Sequence, residues 1–239
     1  LQNLRGTDAE QPLRVFEFTT GDFNMDGRDE LLLVGRQATD TTGGWELYVN
    51  LYTYDAGQKQ WNQALHETFY NRPDTASNPM YDILDISAWN GNLNSTTSEQ
   101  AVIGFTQFYD AGYNDWAEPY MIAMSLDASL SQINTSEPFL SADTTRGMDR
   151  GYTAHSIRIA DINDDGREEI LSNAGPVWGD HTFTIYQLSE MLGFNVLSDI
   201  STVNNPVFAV ADMIIDSTES REIPELAIAG WSGKMYTFY

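Results

Sequence analysis

The sequence contains no cysteine, few basic residues and no long apolar run. With no cysteine among 239 residues, disulfide bonds and thiolate metal sites are excluded, although the cellular compartment is left open. Lys and Arg number 12 against 35 Asp and Glu, for a net charge of −23. So acidic a chain excludes a general electrostatic attraction to nucleic-acid phosphates. No stretch approaches the ~18 consecutive apolar residues of a membrane-spanning helix.

Extended helical patterns are also scarce, and short β-like segments take their place. Hydrophobic residues make up 41% of the chain and aromatic residues 12%, which is typical of a folded protein with a substantial core. Alternating or apolar runs bounded by turn residues predict strands at residues 45–54, 60–70, 120–126, 183–188 and 234–239. Only brief segments such as 189–192 resemble helices. We therefore predict one all-β domain over residues 1–239.

An acidic loop motif occurs twice with the same spacing. Oxygen-bearing side chains stand at loop positions 1, 3, 5 and 9, and a glycine stands at position 6. The side chains are those of Asp22, Asn24, Asp26 and Glu30 in the first copy and Asp161, Asn163, Asp165 and Glu169 in the second. Calcium takes six to eight oxygen ligands from carboxylates, amides and carbonyls. The motif predicts two calcium sites; the alternative is an acidic hairpin turn that binds no ion.

The loop differs from an EF-hand. In an EF-hand the last ligand is a glutamate at position 12 and helices flank the loop. Here the acid stands at position 9, and short apolar or β-branched runs flank both copies, at 13–18 and 31–34 and at 156–160 and 170–171. The motif is therefore expected in the turn of a β-hairpin.

Two more segments fit the same frame if acidic residues are not required at every ligand position. Leading aspartates at Asp85 and Asp212 predict hairpins that have lost the ion, although Asn90, Asn92 and Asn94 offer oxygens in the first of them. The chain then divides into four repeats, roughly 12–70, 80–136, 153–200 and 205–239. The last repeat ends after its third strand, and residues before Leu13 could supply the missing outer strand.

The two intact loops resemble the calcium loops of FG-GAP or VCBS-type repeats, nearly residue for residue. The resemblance implies a β-propeller of four-stranded antiparallel blades, with each loop joining the innermost strand to the second. It also implies that the carbonyls of Arg28 and Arg167 add a ligand at position 7. Propellers of this family commonly have more than four blades, so the four repeats either close a small ring or belong to a larger one.

The resemblance implies a ligand face on the side opposite the calcium loops, where strands two and three of each blade are joined. Each of these predicted turns contains a tryptophan, and His181 and Arg146 lie in the same predicted region. The tryptophans are Trp45, Trp116, Trp178 and Trp231. Exposed rings beside polar groups suit sugar binding; the alternative is that the rings pack between blades.

These observations favour binding over catalysis. The sequence has no G-x-S-x-G motif, no cysteine nucleophile and no P-loop, and cationic candidates such as Arg146, Arg150 and Arg158 are few. We expect a secreted or cell-surface module with two calcium ions that binds a glycan or an extracellular protein, without nucleic acid or membrane insertion. It could associate with further blades or subunits. A polysaccharide lyase or hydrolase, and a structural subunit of a surface assembly or toxin complex, are the alternatives.

Overall fold

The regular structure of the chain is entirely β in the part that can be described. The computed structural model describes residues 14–38, 45–72, 80–94, 98–109, 116–141, 153–176, 180–204, 207–211, 225–229 and 235–238. These residues form sixteen strands in four antiparallel sheets, and no helix is found among them. The predicted all-β class is confirmed.

Each sheet is built from strands that are consecutive in the chain, so every connection within a sheet is local. The first sheet has the order β1 (Arg14–Gly21), β2 (Glu30–Ala38), β3 (Trp45–Asp55) and β4 (Gln60–Arg72). The second contains β5 (Met80–Gly91), β6 (Gln100–Tyr109), β7 (Trp116–Leu126) and β8 (Ile133–Thr135), and β9 (Phe139–Leu140) also pairs with β7. The third contains β10 (Thr153–Ala160), β11 (Glu169–Pro176), β12 (Asp180–Leu188) and β13 (Phe194–Asn204).

The fourth sheet has three described strands, β14 (Val207–Ala211), β15 (Glu225–Ala229) and β16 (Met235–Phe238). The last repeat therefore follows the predicted pattern up to its third strand. The residues before Leu13, which were one of two alternatives for the source of an outer strand, lie outside the described residues.

The turns between third and fourth strands follow from local side-chain hydrogen bonds. After β3, Oδ1 of Asp55 accepts hydrogen bonds from the backbone N–H groups of Gly57, at 2.8 Å, and Gln58, at 3.0 Å.

Residues 189–192 were predicted to be helix-like, and this prediction is wrong. Backbone N–H of Ser189 donates to the carbonyl of Gly193 at 2.9 Å, and Leu192 has a positive φ of 61°, which closes the β12–β13 hairpin instead.

The second sheet is buried on both faces, because its side chains alternate between two hydrophobic clusters. Ile103 and Ile122 point into a cluster shared with the first sheet, whereas Val102 and Met121 point into a cluster shared with the third. All four are at most 1% exposed. The alternation is the period of two expected of a strand, and it places the second sheet between the first and the third.

The first strands of these sheets also lie side by side. β5 contacts β1 of the first sheet and β10 of the third. Since each first strand ends where the following loop begins, this arrangement brings the loops after β1, β5 and β10 to one end of the sheets. Within the described part of the chain, no helix is long and apolar enough to span a membrane.

Candidate metal centre

The two acidic loops have the same backbone conformation. In the first loop, Met25 and Gly27 have positive φ angles of 64° and 83°; in the second, Asp164 and Gly166 have φ angles of 56° and 85°. A positive φ is strained for most residues but accessible to glycine, and a short polar residue tolerates it better than a bulky one. The recurrence of both angles shows that the shared spacing specifies one local structure.

The aspartate at position 1 closes each loop through backbone hydrogen bonds. The carboxylate of Asp22 accepts hydrogen bonds from the N–H groups of Asp26, at 3.0 Å, and Gly27, at 2.9 Å. Asp161 accepts the equivalent bonds from Asp165, at 3.2 Å, and Gly166, at 2.9 Å. The aspartates therefore have a structural role in the turn whether or not an ion is bound.

The position-3 asparagines make a matching contact. Oδ1 of Asn24 accepts a hydrogen bond of 2.9 Å from the N–H of Asp26, and Oδ1 of Asn163 accepts one of 2.9 Å from Asp165. In the second loop, Nδ2 of Asn163 also donates to Oε1 of Glu169 at 3.0 Å. This last bond joins the side chains of positions 3 and 9 in the second loop.

The glutamate at position 9 is buried at the base of each loop. Glu30 is 2% exposed and Glu169 is 0% exposed. Oε2 of each accepts a hydrogen bond from the N–H of loop position 2, from Phe23 at 3.1 Å and from Ile162 at 3.0 Å. Burial raises the pKa of both carboxyl groups to about 7, and the nearby aspartates add to the rise. A buried carboxylate beside other carboxylates gains most from a neighbouring cation.

The donor set of each charged loop fits a hard cation, because every candidate ligand is an oxygen. Carboxylate and amide oxygens that accept one hydrogen bond keep further lone pairs. Calcium would be held by Asp22, Asn24, Asp26 and Glu30 and by Asp161, Asn163, Asp165 and Glu169, with the Arg28 and Arg167 carbonyls at position 7. Among the described residues, no group of three or more His, Cys, Asp or Glu side chains is gathered closely enough to hold a metal ion.

A third loop has the same frame with amide or hydroxyl side chains at positions 1, 3, 5 and 9; it is called the uncharged loop for these four positions, although Glu99 stands at position 8. β5 extends to Gly91, which pairs with Gln100, so the hairpin loop comprises residues 92–99. The two charged loops have the same length, because they lie between the paired residues Gly21 and Glu30 and between Ala160 and Glu169. Gln100 is fully buried and takes the place of the buried glutamate. Its Oε1 accepts a hydrogen bond of 3.1 Å from the N–H of Leu93 at position 2.

This register corrects the prediction for the second repeat. Asp85 was predicted to lead the loop, but it lies inside β5, in a stretch where the pairing with β6 shifts between Leu84 and Ser87. Asn92 and Asn94 are the residues at positions 1 and 3, whereas Asn90 belongs to the strand. The loop after the predicted Asp212 lies outside the described residues.

The loops differ most at position 8. Asp29 of the first loop is exposed, whereas Glu168 of the third-sheet loop is partly buried against the second sheet. Oε2 of Glu168 accepts a hydrogen bond of 2.6 Å from the N–H of Asn92, and the N–H of Glu168 donates to the carbonyl of Asn92 at 3.0 Å. Burial and the nearby Glu99 and Asp161 raise the pKa of Glu168.

The second-sheet loop also contacts the first sheet. Oγ1 of Thr19 donates a hydrogen bond to Oδ1 of Asn90, and Nδ2 of Asn90 donates one to Oε2 of Glu99. A Cβ atom at Gly21 would collide with Asn90 and Glu99, and one at Gly91 would collide with Glu168. A larger residue at either strand end would therefore displace these side chains and disturb the contacts between neighbouring sheets.

The predicted ligand residues lie at the far ends of the sheets or outside the described residues. Trp45 and Trp116 are the first residues of β3 and β7, and His181 is the second residue of β12. Their side chains are outside the described part of the structure, as are Trp178, Trp231 and Arg146 entirely. The predicted ligand face therefore stays a prediction.

An aromatic pocket beside the first charged loop was missed by sequence reasoning. Tyr54 and Trp61 pair across the β3–β4 hairpin, their ring centroids are 5.3 Å apart, and they are 45% and 46% exposed. Together with Asp26, Arg28, Asp29, Glu30, Thr53 and Ala56 they line a cavity of about 730 Å³. The available signal was an aromatic residue on either side of the turn at residues 56–59.

Comparisons with known protein families, with curated proteins and with solved structures find no match to this chain. The functional argument therefore depends on the geometry of the loops and on the residues around them.

Proposed function

We propose that this chain is an extracellular calcium-binding β-propeller module of FG-GAP or VCBS-type repeats that binds a glycan or a protein partner without catalysing a reaction. The observation that carries the proposal is the equivalence of the two charged loops. Both have the same pair of positive φ angles, the same hydrogen bonds from an aspartate at position 1, and the same buried glutamate at position 9.

The order of the sheets supports a propeller. Three units of four or five strands follow one another in the chain, and each packs its face against the next through one hydrophobic cluster. Their first strands are neighbours, as expected of innermost strands around an axis. On the far face of the third sheet, Leu171 and Phe183 are also buried, which is consistent with a fourth blade that continues the series.

Calcium would serve the module by fixing the loops. In each charged loop, burial and the aspartates at positions 1 and 5 raise the pKa of the glutamate at position 9, so repulsion among these carboxylates disfavours the ion-free form. A bound calcium ion supplies two positive charges that compensate this repulsion. Loops with so few charged ligands suit the higher calcium concentrations outside cells, which supports a secreted or surface-displayed protein.

Calorimetric titration of the chelated protein with calcium tests this proposal. We expect two strong sites per chain, reduced to one by either Asp26→Ala or Asp165→Ala, because each substitution removes a ligand from one loop only. Asn92→Ala in the uncharged loop is the matched control and should leave two sites. No binding, or a preference for a transition metal over calcium, would contradict the proposal.

A further inference from the structure

We propose that the pocket between the first charged loop and the β3–β4 hairpin is a binding site for a neutral sugar. This inference rests on the proposed function, since it names the class of ligand and its place on the module. The site lies on the face of the calcium loops, at the end of the sheet opposite to Trp45. It therefore differs in position from the ligand face that the sequence predicts.

The apolar part of the site is the pair Tyr54 and Trp61. Both rings are nearly half exposed and are inclined at 55° to each other, so they form a concave corner and not a flat patch. Aromatic side chains that line a concave site can supply its apolar contacts. The apolar C–H face of a pyranose ring can pack against an aromatic face in the same way as another flat apolar group.

The polar part of the site is supplied by the charged loop and the adjoining strand. Asp26 and Asp29 provide hydrogen-bond acceptors, Arg28 provides donors, and Thr53 provides a hydroxyl that can do both. A sugar presents hydroxyl groups around an apolar ring and can pair with all of these. The cavity of about 730 Å³ falls within the ~300–1,000 Å³ typical of small-molecule sites.

The charge of the protein and of the pocket favours a neutral ligand over acidic, apolar and cationic ones. The chain carries a net charge of −23, so its overall field disfavours an acidic polysaccharide or a phosphate ester even when the charges within the pocket are balanced. An apolar peptide side chain would leave the carboxylates desolvated without partners, which is costly. A calcium ion in the loop, together with Arg28, would compensate most of the local negative charge and reduce the attraction for a cationic ligand. A neutral, hydroxyl-rich ligand meets these conditions best.

The equivalent position in the third sheet is closed. Leu31 and Tyr52 pair in the first sheet as Ile170 and Tyr186 do in the third, so Leu188 and Phe194 correspond to Tyr54 and Trp61. Leu188 is 1% exposed, and Phe194 packs on Phe139 and Tyr186 with centroid distances of 5.1 and 6.1 Å. The two residue pairs occupy corresponding places, but the third-sheet pair is covered whereas Tyr54 and Trp61 are open to a ligand.

The test is an array of neutral and acidic oligosaccharides probed with the full chain in calcium, followed by affinity measurements on the best neutral sugar. We expect Trp61→Ala to weaken sugar binding at least about tenfold, as is typical of an aromatic anchor, and Trp61→Phe to retain most of it. Leu197→Ala removes a half-exposed side chain from β13, the corresponding outer strand, and should change nothing. Calorimetry should still find two calcium ions in every variant.

Each other outcome overturns a distinct claim. Two bound calcium ions with no neutral sugar on the array would overturn the sugar site and leave the proposed calcium module intact. Sugar binding that survives Trp61→Ala would place the ligand elsewhere. Trp61-dependent binding of a lysine-rich peptide instead of a sugar would identify a cation site. Absence of calcium binding in the unmodified chain would overturn the proposed function itself.

Discussion

The loop after β1 and the loop after β5 have one length and one closure but differ in charge at positions 1, 5 and 9. Both end in a buried side chain whose oxygen accepts a hydrogen bond from the N–H of position 2, from Phe23 to Glu30 in the first and from Leu93 to Gln100 in the second. An amide oxygen therefore closes the hairpin as well as a carboxylate does. The hydrogen bond to position 2 therefore requires no negative charge on Glu30, which supports the proposed cation site.

The sharpest way to test this comparison is to remove calcium. A ligand that binds only the native state at 100 times its Kd stabilises by about 2.7 kcal/mol per site, so two occupied loops are worth about 5 kcal/mol. For a chain of this size we expect chelation to lower the Tm by roughly 10 °C or more. Thermal unfolding with and without a chelator measures the effect.

Variants assign the chelation effect to particular loops. Asp26→Ala and Asp165→Ala should each remove about half of the response to chelator, and the double variant should remove it entirely. Asn92→Ala, in the uncharged loop, should leave the response as in the unmodified chain. A melting curve that ignores the chelator would show that the charged loops close without an ion.

Exchanging the position-9 residues, Glu30 and Gln100, should give the next largest change in the free energy of unfolding. Burial raises the pKa of Glu30 to about 7 from an ordinary value near 4.5, so the folded state favours the protonated form. Without calcium, ionisation of Glu30 does not lower the free energy of unfolding below about pH 4.5. It lowers this free energy increasingly as the pH rises towards 7, and by a constant amount above that pH. Glu30→Gln should stabilise the calcium-free protein at pH 8 by about 1–2 kcal/mol, after allowance for solvent screening.

The sign of the Glu30→Gln effect should reverse in saturating calcium, because a charged ligand is lost. Gln100→Glu is the reciprocal variant, and it should destabilise by a similar amount at pH 8 whether or not calcium is present. Denaturant unfolding at pH 4 and pH 8, with and without calcium, measures all four cases. A stabilisation of Gln100→Glu by calcium would show that the uncharged loop also holds an ion.

The charged loops could be predicted from the sequence because their geometry is local. Spacing of oxygens, a glycine at position 6 and flanking apolar runs all lie within about a dozen residues, and the structure gives both copies the same φ angles and hydrogen bonds. The uncharged loop was misplaced at Asp85 because acidity served as its marker. Its true position depends on a pairing irregularity between Leu84 and Ser87, which no local pattern reveals.

The aromatic pocket depends on tertiary contacts, so the sequence could not distinguish it. Tyr54 and Trp61 look like ordinary alternating strand residues, as do Leu188 and Phe194 in the third sheet. The difference is that Phe139 of the second sheet covers Phe194, whereas the first-sheet pair is left exposed. Which hairpin stays open is decided by the neighbouring sheet and not by the hairpin itself.

Position 8 of the loops provides a smaller, more specific test. Glu168→Ala should destabilise by about 1–2 kcal/mol, since a charge-assisted hydrogen bond to the Asn92 N–H is lost, whereas the exposed Asp29→Ala should stay within about 0.5 kcal/mol. Glu168→Gln keeps an acceptor while removing repulsion from Glu99 and Asp161, and it should restore most of the stability. Equal effects of the two alanine variants would contradict the docking of the third-sheet loop on the second sheet.

The smallest expected difference is between the two position-6 glycines. Gly27 and Gly166 have φ angles of 83° and 85°, and a Cβ atom at either would meet nothing within 4 Å. The cost of Gly27→Ala or Gly166→Ala is therefore conformational and amounts to about 1 kcal/mol in each loop. Because the two loops share their backbone but not their surroundings, equal losses of Tm in the chelated protein would show that the turn is an autonomous unit. Unequal losses would show that the contact of Glu168 with the second sheet affects the stability of the turn. The double variant Gly166→Ala, Glu168→Ala would then lose less stability than the sum of the two single variants.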